Sequence, residues 1–352
     1  VEADVISADQ ASRLEAMFRE KDHEAAEAEP LRFLSNLNDV FLSIGLVILF
    51  IGLGAAFSIL SFGQVSFSQY APMVLIPLAA VAWGLAEYFC ARRKMLLPSI
   101  VLAILWTVCS GLGVFSLLAS DLVERESAGL MSAIFSNGSD DAFFRTMAEE
   151  GQSRATLSVA AASLAAFLFY LRFRLPFAQV LIVLPIAIVA MIFFPAFGTL
   201  LATGIATLLV AIWFDARDPD RATRMSDNGF WLHVTAAPQI VYGLRGVLGE
   251  GSELGSVSIH LVLVGVLIGF TLLSLALNRR ALIISGLITF GVSIWNLFQA
   301  FGDSFFLRFA GPLLLVGGLV VLLGAGWKTS RKLLLAGFPK QGVMARIFPP
   351  EA

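Results

Sequence analysis

Apolar residues along this chain fall into long blocks separated by short polar turns, and the blocks, read in order, predict the fold. After a polar opening they run approximately over 38–60, 70–90, 96–119, 155–172, 176–194, 196–214, 228–246, 257–277, 281–300 and 303–327. About 20 apolar residues carry a helix across a hydrocarbon core about 30 Å thick, so each block predicts one crossing. The run from Pro176 to Phe214 is too long for one crossing, and Pro195 within it, which removes a helix hydrogen bond, is the expected hairpin break. The predicted fold class is all-α: a polytopic helical membrane protein with about ten transmembrane helices.

Composition agrees. The chain is 58% hydrophobic and 14% charged, with a mean hydropathy of +0.83, whereas soluble domains are roughly 45–50% apolar. The net charge of −2 says less than the placement of the charges. Basic turns occur at Arg92-Arg93-Lys94, Arg172 to Arg174, Arg217 to Arg224, Arg279-Arg280 and the tail from Lys328, and they alternate with neutral, acidic or mixed loops. Lys- and Arg-rich short loops stay in the cytoplasm, so both termini are expected there, N-in and C-in. The hairpins around these turns read either as a degenerate repeat or as what that rule alone produces.

The flanks divide as a cytoplasmic N-terminal helix over 1–36, a membrane domain over 37–327 and a basic cytoplasmic tail over 328–352. Ser7 and Gln10 fit a capping box at the start of a helix over 6–29, and Ala11, Leu14, Met17 and Phe18 give it one apolar face. Its acidic, polar character is unlike a cleavable signal peptide. The external segment 121–154 carries apolar residues at helical spacing on either side of Asn137-Gly138-Ser139, which predicts one or two amphipathic helices. The expected partners are the lipid bilayer and a protein docking on the N-terminal helix or on 121–154. No basic tract suggests nucleic acid.

Candidate chemistry rests on polar groups at membrane depth, which are costly and mark function by default. Glu87 is the one charge in the second block, with Arg92 or Arg93 as a local partner competing with a buried role. His233 enters the seventh block as either a proton shuttle or an interfacial anchor beside Trp231. Pro238 and Gln239 follow it, freeing a carbonyl and adding an amide. Asn296 and Gln299 lie in the ninth block, near Asp303 and Arg308, which are expected to pair. Together Glu87, His233, Gln239, Asn296 and Gln299 form the candidate substrate path.

Enzyme signatures are missing: no catalytic residue, cofactor motif or metal site is predicted. Three histidines show no metal-ligand spacing. Asp215, Asp218, Asp220 and Asp227 alternate with arginines, which favours a self-paired, solvated loop over a cation site. Cys90 and Cys109 read as packing residues.

The opening ISADQASRLEAMFRE, the stretch EPLRFLSNLNDVFLSIGL leading into the first block, and basic-turned hairpins such as YLRFRLPFA resemble uncharacterised bacterial inner-membrane proteins of unknown function. The resemblance implies an integral protein of the bacterial inner membrane and supplies no activity or site residues. Two function classes stay open: a transporter or permease for a small solute, and a non-transporting scaffold, sensor or accessory subunit.

Overall fold

A computed structural model describes residues 37–61, 67–118, 141–218, 223–249, 256–277 and 304–336, together with Arg13 and part of 287–299. Among these residues there is no strand. Helix α1 spans Leu37–Ser61. Helix α2 spans Phe67–Ala86 and runs on as a π-helical turn over Glu87–Arg92. There follow α3, Leu96–Leu118, α4, Asp141–Phe173, α5, Ala178–Phe193, α6, Phe197–Arg217, and α7, Arg224–Gly249. Helices α8, Ser256–Leu277, and α9, Phe305–Leu335, complete the series.

Seven of these, α1, α2, α3, α4, α6, α8 and α9, are long and apolar enough to cross a membrane. The chain is thus a multi-pass helical membrane protein, and exposed residues such as Phe41, Ile48, Ile51, Leu314 and Leu322 on its outer helices suit contact with lipid. The other three expected blocks differ for separate reasons. Helix α5, with 16 residues, is about 24 Å long. Helix α7 has 26 residues but is too polar to meet the same criterion. Most of the ninth block lies outside the described residues, though those described between Leu287 and Gln299 are helical.

The flanks are only partly described. Apart from helical Arg13, the segment 1–36 lies outside the described residues, as do residues 121–140 of the segment 121–154 that was expected to be external. Residues 141–154 belong to the same continuous helix as the fourth span. Helix α9 continues past Lys328 to Leu335.

Two apolar clusters hold the helices together. The first joins Leu46 and Phe50 of α1 to Leu78 and Ala82 of α2, Leu102 of α3 and Phe169 of α4. The second joins Ile240 and Val241 of α7 to Leu263, Leu267 and Phe270 of α8 and to Phe290 and Ile294. Polar donors add specific links between helices, as membrane interiors require: Trp106 Nε1 donates to Ala165 O at 2.8 Å, Ser158 Oγ to Gly111 O at 2.7 Å, and Ser163 Oγ to Ile182 O at 3.1 Å.

Two of the basic turns share a backbone device. Lys94, after α2, and Arg174, after α4, both have φ of 52°, the left-handed conformation that ends helices. The break at Pro195 falls between α5 and α6, as expected, with Phe194 N bonded back to Ala190 O.

Helix α7 explains how a polar segment survives in an apolar protein. Its buried residues include Ser226, Asn228, His233, Thr235 and Gln239, while α5, α6 and α8 pack against it and Phe177 meets Trp231 edge-on at 4.9 Å. From Asn228 to Val241 this helix is covered by protein, where the outer helices leave apolar faces exposed. An apolar sequence is not required of it.

Candidate functional site

The α6–α7 hairpin is the most extensively packed helix pair among the described elements, and glycine sets its spacing. A Cβ on Gly204 of α6 would lie 2.8 Å from Ile240 N and 2.9 Å from Gln239 Cβ. A Cβ on Gly243 of α7 would press on the Leu201 backbone, 2.8 Å from its Cα, and one on Gly229 would lie 2.6 Å from Asp215 Oδ1. Along α6 the buried residues Gly204, Thr207, Ala211 and Asp215 follow one another at helical spacing, so a stripe of small residues ends in a carboxylate.

That carboxylate meets His233. Asp215 Oδ2 lies 2.8 Å from His233 Nε2, with the imidazole 0% exposed and the Asp215 side chain 9% exposed. Asp215 sits in the last turn of α6, and His233 lies roughly 14 Å along α7 from its start. The expectation of a solvated, self-paired loop is therefore corrected for Asp215 and Asp218, both of which are buried. Asp218 Oδ2 accepts from Thr223 N at 2.9 Å and from Thr223 Oγ1 at 2.6 Å. Thr223 in turn caps α7 by accepting from Met225 N at 3.2 Å. These two carboxylates are drawn in because each has a partner on the hairpin. Among the described residues no cluster of three or more metal-ligating side chains occurs.

Along α7, buried polar atoms lack partners among the described residues: His233 Nδ1, Asn228 Oδ1 and Gln239 Oε1. Their other polar atoms are engaged, Asn228 Nδ2 donating to Tyr170 Oη at 2.8 Å and Gln239 Nε2 to Thr235 O at 3.2 Å. Leaving a buried polar atom unpaired costs about 1–3 kcal/mol. All three lie on α7.

Among the described candidate path residues, His233 and Gln239 share α7, and Glu87 is held in a separate ion pair. Glu87 is ion-paired, but across helices: its carboxylate accepts from Arg172 Nε at 2.9 Å and from Arg172 Nη2 at 2.7 Å. This corrects the local pairing with Arg92 or Arg93. The π-turn sets Glu87 toward α4, and Arg93 donates instead to Tyr88 Oη at 3.1 Å. Gln239 shares α7 with His233 about 9 Å farther along. Gln299 is half-buried with Nε2 unpartnered among the described residues, while Asn296 and Asp303 lie outside them. An open groove of about 700 Å³ reaches Arg172, lined also by Ala80, Trp83, Trp106, Leu168 and Leu171 and by neither His233 nor Gln239.

Because the Glu87 and Arg172 side chains are 37% and 52% exposed, their pair contributes at most about 1 kcal/mol. Glu87→Gln is expected to express normally and to unfold within a few degrees of the wild-type temperature in detergent. A large fall in melting temperature contradicts that assignment.

Compared with known proteins, the chain matches no family model, no curated protein and no solved structure.

Proposed function

We propose that this is a ten-span protein of the bacterial inner membrane, with both termini cytoplasmic, that moves a small solute and uses the Asp215–His233 pair to handle protons. The observation that carries the reading is the fully buried imidazole, held on one nitrogen and, among the described residues, unpartnered on the other. Asp215 accepts from Nε2–H, which fixes the tautomer and leaves the Nδ1 lone pair as the proton acceptor. When Nδ1 gains a proton, the carboxylate balances the imidazolium; when it loses one, the Nε2–H bond persists. Intramembrane ionisable pairs with this property serve proton relays. The test is reconstitution with a pH dye trapped inside the vesicles. Proton movement above that of empty vesicles, driven by a solute from a broad panel, supports transport, and none across the panel removes it.

A second reading, a scaffold or accessory subunit, is favoured by the use of Glu87 and Asp218 in locks between helices or within the hairpin turn. It becomes the account if no flux is seen.

The orientation has its own expected outcome. The turn containing Ala222 is basic and is therefore cytoplasmic. In a variant lacking Cys90 and Cys109, Ala222→Cys should escape an impermeant thiol reagent in intact cells and react after lysis. Reaction in intact cells reverses the orientation.

A further inference from the structure

We propose that the groove between α2, α3 and α4 binds a zwitterionic aminophospholipid, with an acyl chain along Trp83, Trp106, Leu168 and Leu171 and the headgroup on the Glu87–Arg172 pair. The inference is independent of the transport reading. Its first support is the wall of the groove. Trp106 spends its only N–H on Ala165 O, so its ring is left as apolar surface. Trp83 is tilted against Trp106 at a centroid distance of 4.8 Å and backed by Phe173 at 5.3 Å. Leu168 and Leu171 are both well exposed at the groove, on a helix long and apolar enough to cross the bilayer, so an acyl chain is the covering that the setting provides.

The headgroup follows from the charges at the end of the groove. Arg172 uses Nε and Nη2 on Glu87 and keeps the Nη1 protons for a phosphate oxygen. Glu87 carries further lone pairs that an ammonium can reach as donor. A neutral pair that shows a donor and an acceptor side by side does not select a net anion. It complements a phosphate and a primary ammonium two carbons apart, and a choline headgroup, having no N–H, forfeits the second contact. The π-helical turn that begins at Glu87 is of a kind that recurs at functional sites.

The experiment is a titration of the purified full-length protein in detergent with phosphatidylethanolamine, phosphatidylglycerol or phosphatidylcholine carrying brominated acyl chains, read by tryptophan fluorescence. The chain has six tryptophans, so Trp83→Phe isolates the groove's share of the quenching. Phosphatidylethanolamine is expected to bind about three- to fivefold more tightly than the other two, the scale of one partly exposed charge contact. Glu87→Gln should erase that preference while quenching persists. Ala80→Phe, which fills the groove and leaves the ion pair intact, should remove the Trp83-dependent quenching for every headgroup. Equal affinity for all three lipids, a preference for phosphatidylglycerol or phosphatidylcholine, or a preference that survives either Glu87→Gln or Ala80→Phe overturns the proposal.

Discussion

Gly243→Ala is expected to destabilise the protein by about 3 kcal/mol, the upper end of what an added methyl costs in a filled interior. The reason is the identity of the atoms in the way. A Cβ at Gly243 meets the Leu201 backbone, and a backbone held in α6 cannot rotate aside as a long side chain can. Natural stabilities are about 5–15 kcal/mol, so this one methyl removes a substantial share. Gly52→Ala is the matched control: nothing lies within 4 Å of a Cβ there, and alanine is the better helix former by about 0.5–1 kcal/mol. Thermal unfolding of both variants in one detergent checks the contrast. If Gly243→Ala melts with the wild type, the close approach of α6 and α7 is wrong.

The second large effect is at Asp215. Asp215→Ala leaves His233 buried with neither ring nitrogen partnered among the described residues, and losing one member of a buried pair costs about 3–5 kcal/mol. The double variant Asp215→Leu, His233→Phe replaces the pair by apolar groups of similar volume. It is expected to recover most of that loss, because a buried pair contributes little over a well-packed apolar substitute. Unfolding temperatures of the two variants, each against wild type, check the contrast. A double variant that is less stable than Asp215→Ala contradicts it.

These results bear on how much of the molecule was readable from its residues. The apolar blocks marked the helices because lipid-facing segments need no partner to be recognised, and Pro195 fell at a real turn. The seventh block was legible as a helix even with His233 and Gln239 inside it, since its spacing survives the polar substitutions. Pairings between helices were not legible. Glu87 and Arg172 are 85 residues apart, while Arg93, much nearer in sequence, donates to Tyr88 instead. Asp215 was hidden by its neighbours, because DARDPDR reads as one charged loop. The available signal was its place at the end of Gly204, Thr207 and Ala211, a small-residue face on which a carboxylate can only point into a partner helix.

The claim at the centre of this account is that His233 is kept for proton chemistry and not for packing alone. The most direct measurement is proton flux in vesicles reconstituted with His233→Gln, beside wild type and the double variant Asp215→Leu, His233→Phe, each first shown to be folded by its thermal transition. Glutamine retains a donor for Asp215 but has no nitrogen that gains and releases a proton. The expected result is a folded His233→Gln protein whose flux falls to the level of empty vesicles, with the double variant equally inactive. Flux in His233→Gln equal to wild type would contradict the account and leave the Asp215–His233 pair as a structural lock.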